Sequence, residues 1–253
     1  MRQPACSAAA DRRNAAGVSS AHEALPAVAR VLAIGAHPDD LEFFAGATLA
    51  RLAAAGATVT MLVCTDGARG GHDEAGLAAR RRDEAVVAAA ALGADAPAFL
   101  GFRDGDLAND ERLREALVRA IRTCRPELLL VHDPATQWKR TGELVRFGHS
   151  DHRAAGQATL DAIAPRAPLG AYYPEHAAAG LKPWFVRETW LFDTAQPEHF
   201  VDARPALEAK HAALRRHASQ NPDMLLVESE RLLAHHAATA GVPSEGFQRL
   251  RLY

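Results

Sequence analysis

The sequence has few cysteines and no paired cysteine motif. Its three cysteines, Cys6, Cys64 and Cys124, lie far apart, and no two of them form a CxxC pair. The pattern therefore supports neither a disulfide framework nor a zinc site built from cysteines. Cys64 falls in an apolar run and Cys124 on a helical pattern, so we interpret both as small residues of the core.

Long apolar runs and excess charge are also missing. No run reaches the roughly 20 residues of a transmembrane helix, and the N-terminal segment lacks the apolar region of a secretory signal. We therefore expect no membrane insertion and a cytoplasmic location. The formal net charge of −2 argues against a protein that binds nucleic acid through a broad basic surface.

The length and composition are those of an ordinary globular domain. The 253 residues are 48% hydrophobic and 24% charged, which is enough to build one well-buried α/β core. Residues 1–27 are rich in Ala, Ser and Arg and show no clear period, so we expect a flexible extension there. The single domain is predicted to occupy residues 28–253.

The first strand and helix are joined by a short polar turn. An apolar run at 31–35 is followed by residues 36–40 and then by a helical pattern, which indicates a βα unit. Ligands of open parallel sheets bind just beyond the carboxyl ends of the strands. His37, Asp39 and Asp40 lie there, and a divalent ion such as zinc accepts these side chains. The turn alone leaves simple helix capping open.

Apolar runs continue to alternate with helical patterns. Strand-like runs at 57–65, 96–102 and 127–134 are separated by helical patterns at 77–93 and about 110–124. This β-α-β-α-β-α-β order, with short connections, predicts a parallel sheet covered by helices. Further elements are expected at 148–163, 188–193, 199–203, 204–219 and 224–240. We expect His235 and His236, on the last of these helices, to face solvent.

The loops after the second and third strands contain polar residues at the same edge of the sheet. Residues 66–76 are rich in glycine, and Arg69 within them can bind a hydroxyl or phosphate group. Asp104 follows the third strand, so Arg69 and Asp104 are expected to flank the pocket and bind substrate. His72, Asp73 and Glu74 are of ligand type, but a solvated role is the better interpretation.

A second cluster of histidines follows a polar insertion without a strong period at 136–147. His149 and His152 are three residues apart at the start of a helix, so they share one face, and Asp151 lies between them. Two such histidines alone need bind nothing. Together with the turn after the first strand, they complete a three-residue site with an open fourth position, as in catalytic zinc centres.

With both clusters in hand, the chain resembles the PIG-L/LmbE-like family of zinc-dependent N-deacetylases. The resemblance rests on motifs that occur in the family's order: AHPDD at 36–40, TDG at 65–67, RRDE at 81–84, RDGDL at 103–107, GHSDH at 148–152 and K-x-x-A-L-x-x-H-x-S-Q at 210–220. Ser150 stands where the family usually has proline, and the insertion at 136–147 is longer than typical.

The resemblance implies a single-domain, Rossmann-like three-layer α/β fold with a mostly parallel sheet. It also implies zinc held by His37, Asp40 and His152, although iron or cobalt fits the same ligands. Asp39 would be the general base and His149 the general acid or electrostatic partner. Asp151 would orient an imidazole, and either Asp151 or Asp104 would restore the charged form of His149.

The implied reaction is removal of an N-acetyl group from a small molecule that contains N-acetylglucosamine. One alternative keeps the metal and cleaves a larger amide, such as that of a thiol conjugate. Another is a sugar- or nucleotide-binding module without catalysis, which is disfavoured because no GxGxxG motif follows the first strand. The only partner expected is the small-molecule substrate, and a homo-oligomer is left open.

Overall fold

The computed structural model describes residues 25–71, 75–141 and 143–252. Most of the expected extension at 1–27 and the residues His72, Asp73 and Glu74 lie outside the described residues. Within the described ranges, no helix combines the length and the apolar character needed to cross a membrane.

Nine strands are present in the described part of the chain. They are β1 Arg30–Gly35, β2 Thr58–Thr65, β3 Ala98–Phe102, β4 Leu128–His132, β5 Trp138–Thr141, β6 Leu144–Phe147, β7 Glu188–Phe192, β8 His199–Asp202 and β9 Ser244–Arg251. The main sheet has the order β3-β2-β1-β4-β7-β9-β8, and β5 pairs with β6 alone.

Seven α-helices connect these strands in the described residues. They are α1 Asp40–Ala54, α2 Leu77–Ala91, α3 Glu111–Cys124, α4 Ser150–Asp161, α5 Glu175–Ala178, α6 Leu207–Leu214 and α7 Pro222–Ala240. Helix α3 is capped by the residue that precedes it: the Asp110 side chain accepts a hydrogen bond from the Leu113 backbone amide at the N-terminus of the helix.

The topology creates a crevice between β1 and β4. Strands β1, β2, β3, β4 and β7 pair in parallel, whereas β9 runs antiparallel to both β7 and β8. The chain moves outward from β1 to β3 and then returns to the other side of β1 with β4. Such a reversal opens a ligand crevice at the carboxyl ends of the two central strands. The predicted mostly parallel sheet is confirmed.

Successive apolar side chains of the central strands point alternately into two hydrophobic cores, one on each face of the sheet. Val31 and Ala33 face a cluster that includes residues of α1, α2 and α6. Leu32 and Ile34 face the opposite cluster, which includes residues of α3 and α4. Because successive strand residues point to opposite faces, a strand that is apolar throughout requires helices on both sides. The predicted three-layer arrangement is therefore present.

Some elements of the structure differ from those that the sequence predicts. Residues 136–147, which show no strong period and for which no element was predicted, contain the antiparallel hairpin β5–β6. Strand β9 was not expected at all, since Ser244–Arg251 has only two apolar side chains. The helix expected at 204–219 is shorter, because the α-helix itself covers Leu207–Leu214 and short 3₁₀ turns flank it.

The prediction for the histidine pair on α7 was half wrong. His235 is exposed as expected, but His236 is buried, with 8% of its surface exposed. Its Nδ1 lies 2.9 Å from the carbonyl oxygen of Ser244, at the start of β9. Strand β9 covers this face of α7, and without β9 the sequence pattern gave no reason to bury the histidine.

A buried ion pair supports the helix that begins at the polar turn. Lys210 Nζ lies 2.7 Å from Glu245 Oε1, and both side chains are almost fully buried. Glu245 also accepts hydrogen bonds from the backbone amides of Ala47 and Thr48 in α1. These contacts fix α1 against α6 and β9 and thereby hold Asp40, the first residue of α1, in place.

Candidate metal centre and active site

The turn after β1 separates the side chains of its two aspartates. The His37 amide donates a hydrogen bond to Asp40 Oδ2 at 2.7 Å, which closes the turn at the start of α1. Asp39 has a φ of 146°, a backbone conformation that residues with a side chain rarely adopt. Strain of this kind persists where the surrounding structure fixes it and is frequent at functional sites.

Three of the predicted ligands converge on one point. Ligand atoms of His37, Asp40 and His152 all lie within 4.8 Å of one another. His152 Nε2 is 3.2 Å from Asp40 Oδ1, and His37 Nδ1 is 3.4 Å from Asp40 Oδ2. Ligands bound tetrahedrally at zinc distances stand about 3.3 Å apart. Two imidazoles and one carboxylate at this separation therefore suit a divalent transition-metal ion.

The carboxylates of the cluster also favour positive charge at its centre. Burial lowers the pKa of His37, but hydrogen bonds to Asp104, Asp151 and Asp40 outweigh burial and raise it to about 12. Burial likewise opposes the charged form of His152, whereas Asp40 and Asp193 raise its pKa to about 9. Both imidazoles thus hold protons that neutralise the carboxylates around them, and a bound divalent ion would replace that positive charge.

Asp40 has a further partner that sequence reasoning did not assign. His132, at the end of β4, is fully buried, and its Nε2 lies 3.0 Å from Asp40 Oδ2. Burial raises the pKa of Asp40, but His152 and His132 outweigh it and hold that pKa well below its usual range. An ionised carboxylate can only accept, so His132 Nε2 is the donor. Oδ1 of Asp40 is left to face His152.

His152 is fixed by an aspartate at the end of β7. Asp193 Oδ2 lies 3.1 Å from His152 Nδ1, and the other carboxylate oxygen of Asp193 pairs with Lys139 Nζ of the β5–β6 hairpin. The His152 ring also stacks on the His132 ring, with centroids 3.9 Å apart. A carboxylate on one imidazole nitrogen directs the lone pair of the other nitrogen toward a metal ion.

Asp39 lies apart from the three clustered side chains and contacts an arginine. Arg81 Nη2 is 3.2 Å from Asp39 Oδ2, and the buried guanidinium also donates to the carbonyl oxygens of Gly67 and Pro38. Burial raises the pKa of Asp39 to about 6, even though the charge of Arg81 lowers it. A carboxylate with such a pKa is suited to exchange protons near neutral pH.

His149 caps the helix that carries His152. Its Nδ1 accepts a hydrogen bond from the Asp151 amide at 3.1 Å, so in neutral His149 the proton is on Nε2. Burial, together with His37 and His152, lowers the pKa of His149. The expectation that Asp151 or Asp104 restores the charged form is not met. Asp151 Oδ1 lies 4.0 Å from His149 Nδ1, and the raising effects of both carboxylates are smaller.

Asp151 instead orients the first histidine. Its Oδ2 lies 3.3 Å from His37 Nε2 and accepts a hydrogen bond from the Gly105 amide at 2.7 Å. The side chain is fully buried. Asp104 Oδ1 approaches the same Nε2 of His37 at 3.2 Å, so two carboxylates share this nitrogen. The imidazole that Asp151 contacts with its carboxylate is therefore that of His37.

An open cavity of about 370 Å³ adjoins the cluster. Arg69 and Asp104, the two predicted substrate-binding residues, both line it, and the Arg69 amide donates to Asp104 Oδ2 at 2.9 Å. The full set of lining residues is His37, Asp39, Arg69, Gly70, Arg81, Asp104, Gly105, His149 and Gln220. The cavity thus has His37, Asp39 and His149 on its wall, together with a guanidinium and an amide side chain that can bind hydroxyl groups.

Four residues around the site were not assigned from the sequence. Arg81 and Gln220 belong to recognisable motifs, RRDE and the segment that ends in SQ, but nothing in those motifs says that they reach the cavity. His132 ends β4 and Asp193 directly follows β7, and these strands are neighbours only in the folded sheet. Their position at the carboxyl ends of strands was the one available signal.

Comparison with known proteins identifies the same region. The sequence model of the PIG-L family, described as GlcNAc-PI de-N-acetylase, matches residues 32–163. A diacetylchitobiose deacetylase of Thermococcus kodakarensis is 34% identical over 203 residues, which cover 78% of this chain and 72% of that protein. A 1D-myo-inositol 2-acetamido-2-deoxy-alpha-D-glucopyranoside deacetylase of Rhodococcus erythropolis is 36% identical over 248 residues, covering 76% and 81% respectively.

The fold agrees with that of a solved deacetylase. The N,N'-diacetylchitobiose deacetylase from Pyrococcus horikoshii, in complex with its inhibitor MPG, superposes with a TM-score of 0.79 at 28% identity. The match covers 89% of this chain and 85% of that one. The family model covers more than half of the chain, and the relatives are deacetylases of acetylated amino sugars. The chain belongs to the PIG-L family, as the sequence motifs predict.

Proposed function

We propose that this protein is a zinc-dependent hydrolase that removes the N-acetyl group from a small molecule containing N-acetylglucosamine. The convergence of His37, Asp40 and His152 beside the cavity that Asp39 and His149 line is the observation that carries the proposal. An amide hydrolase needs an activated water, a base, a stabiliser for the oxyanion and a proton for the leaving amine. The cluster and its neighbours offer a group for each need.

His37, Asp40 and His152 would hold the ion, with His132 and Asp193 fixing two of these ligands. When bound, zinc lowers the pKa of water to about 7 and polarises a carbonyl oxygen. Iron or cobalt would suit the same three ligands, but two imidazoles and a carboxylate with an open position favour zinc.

Asp39 would act as the general base. It would take one proton from the attacking water as the oxygen bonds to the acetyl carbon, and later pass that proton to the amine nitrogen as the C–N bond breaks. Collapse gives acetic acid and the free amine. At neutral pH the remaining proton of the acid passes to the amine or to solvent, which leaves acetate and the amino sugar with atoms and charge balanced. A pKa of about 6 allows Asp39 to accept the proton near pH 7 and release it again.

His149 would stabilise the oxyanion from the cavity wall. Because Nδ1 accepts a hydrogen bond from the Asp151 backbone amide, the neutral ring has its proton on Nε2 and can donate that N–H to the oxyanion. The lowered pKa of His149 means that the ring does this without a net positive charge. Asp151 would serve the site by holding His37, which it contacts directly.

Arg69, Asp104 and Gln220 would bind the sugar. Arg69 is half exposed at the cavity rim, where a guanidinium can grip a hydroxyl or a phosphate on the substrate. The relatives named above act on acetylated amino sugars attached to inositol or to a second sugar, and these are the first substrate classes to test. We propose the cytoplasm as the compartment and the acetylated amino sugar as the partner; a homo-oligomer is left open.

The proposal is tested by metal analysis and an acetate-release screen. Purified protein is assayed by elemental analysis and then incubated with N,N'-diacetylchitobiose and with N-acetylglucosaminyl-inositol. Stoichiometric zinc and acetate release that stops on chelation and returns with added zinc is the expected result. Release of a larger acid from a thiol conjugate, without acetate release from either sugar, would favour the alternative amidase. Saturable sugar binding without any hydrolysis would favour the non-catalytic module.

A further inference from the structure

In the described part of the β5–β6 hairpin, Lys139 contacts Asp193, which in turn contacts the ligand His152. Lys139 and Arg146 are directly paired across the hairpin, so they share one face, here called the inner face. Lys139 pairs with Asp193 and Arg146 with Glu228, both outside the hairpin. The opposite face carries Trp138 and Phe147, which are 53% and 79% exposed. The hairpin is therefore held through the polar residues of its inner face rather than through its aromatic residues.

Lys139 reaches from the hairpin to the end of β7. Its ammonium group pairs with one oxygen of Asp193, and it lies 5.2 Å from the centre of the Phe44 ring. The Lys139 side chain is 14% exposed and that of Asp193 is 10% exposed. An ion pair with this little exposure is screened far less by water and salt than a pair on the surface.

Asp193 also contacts His152, the third proposed metal ligand. Its second oxygen lies 3.1 Å from His152 Nδ1, and the residue has a φ of 57°, in the left-handed region that aspartate tolerates better than most residues. The His132 ring stacks on one face of His152, and Phe44 meets the ring edge-on. These aromatic contacts hold the plane of the His152 ring, and the Asp193 carboxylate sets the direction in which its Nδ1 points.

We propose that Lys139 is a positioning residue that acts through Asp193 on His152, so that docking of the β5–β6 hairpin and metal binding stabilise each other. Lys139 holds the Asp193 carboxylate in the position that receives the Nδ1–H of His152. Nε2 of His152 is then aimed at Asp40 and the metal position. The inference rests on the metal site of the proposed function and not on which amide is cleaved.

Zinc affinity, measured in the full chain by competition with a chelating dye, tests the proposal. Lys139→Met keeps an unbranched side chain but removes the charge, and should weaken zinc binding by about tenfold, as loss of outer contacts to metal ligands typically does. Lys139→Arg should restore affinity. Arg146→Met is the matched control: Arg146 lies on the same hairpin face but pairs with Glu228, so its loss should leave affinity unchanged.

Two further measurements separate positioning from general loosening of the fold. In the Asp193→Asn background, Lys139→Met should have no additional effect on affinity, because the path runs through Asp193. Since coupling is reciprocal, zinc should slow hydrogen exchange in residues 138–147 of the wild type but not of Lys139→Met. Thermal unfolding of each metal-free variant checks that it is folded.

The proposal is overturned if Lys139→Met binds zinc within about twofold of the wild type, since loss of such contacts usually costs more. It is also overturned if Lys139→Met weakens binding equally with and without Asp193. Either result, obtained with a wild type that binds zinc and releases acetate, leaves the proposed function intact. A wild type that binds no zinc would instead remove both.

Discussion

Arg81 Nη2 lies 3.2 Å from Asp39 Oδ2, which places a buried positive charge directly against the proposed general base. Burial raises the pKa of Asp39 to about 6, and it would be higher without this guanidinium, whose charge favours the ionised carboxylate. The pKa of the proposed base thus reflects a balance between burial and the charge of Arg81.

Replacing Arg81 by methionine should move the acid limb of the profile of kcat/KM against pH to higher pH. The sign follows from the charge: without the cation, Asp39 keeps its proton to a higher pH and is inactive as a base there. Arg81→Lys is the control, since it retains the charge but loses the paired hydrogen bonds, and its limb should stay nearer the wild-type position. An acid limb that does not move in Arg81→Met would separate Asp39 from the observed ionisation.

Replacing His132 by leucine should weaken zinc binding by about 10- to 100-fold, the usual cost of losing a contact that orients a metal ligand. The Nε2 of His132 donates to Asp40 Oδ2, and leucine leaves that buried oxygen without this donor. His132→Gln provides an N–H at a similar position and should recover most of the affinity. Equal zinc affinity for all three proteins, measured with a competing chelator, would show that His132 only fills space.

Arg69→Ala should lower kcat/KM on the true substrate by about tenfold, the scale of one hydrogen bond from a charged group, without loss of zinc. Arg69 lines the cavity, and its guanidinium also pairs with Asp106. Arg103 pairs with the same Asp106 but does not line the cavity, which makes Arg103→Ala the matched control. If the two variants have the same kinetics, Arg69 takes no part in substrate binding.

His236 should make the fold less stable as the pH falls. Burial lowers its pKa from 6.5 to about 4, so below pH 6.5 the unfolded chain binds a proton that the folded protein refuses. The stability that the neutral ring contributes is present above pH 6.5 and is lost on acidification. Between pH 7 and pH 5 this loss amounts to about 2 kcal/mol.

Denaturant unfolding of wild type and His236→Asn at the two pH values measures that difference. Asparagine does not titrate but can still donate to the Ser244 carbonyl, so the variant should lose less stability on acidification. His235→Asn, at the exposed neighbouring position, should behave like the wild type. Identical pH dependence in wild type and His236→Asn would mean that His236 does not titrate differently in the folded state.

The sequence was sufficient for the α/β layers because β1 is apolar on both faces and the helices repeat with their own period. It was also sufficient for the residues of the two clusters, since His37, Asp40 and His152 occur in compact motifs. It was not sufficient for His132 and Asp193. Their contacts depend on β4 pairing with β7 across some 60 residues of chain, a relation that no local pattern carries.

The hairpin and the last strand were missed for a related reason. In β5–β6 the aromatic side chains of Trp138 and Phe147 are exposed, whereas Lys139 on the opposite face is largely buried against Asp193, which reverses the usual pattern. In β9, Glu245 is buried because its carboxylate pairs with Lys210 and accepts hydrogen bonds from two backbone amides of α1. No periodic sequence pattern predicts a buried carboxylate. Both elements are held by polar contacts with residues that are distant in sequence and become neighbours only in the folded chain.

The most direct test of the central claim compares zinc content and kcat in Asp39→Asn and Asp40→Asn. In the proposed mechanism, Asp40 binds the ion and Asp39 transfers the proton. Asp39→Asn should therefore keep stoichiometric zinc and lose about 10²- to 10⁴-fold in kcat, the usual contribution of a general base. Asp40→Asn should lose the zinc itself. An Asp39→Asn variant that turns over at the wild-type rate, or that cannot bind zinc even when zinc is supplied in slight excess, would contradict the account.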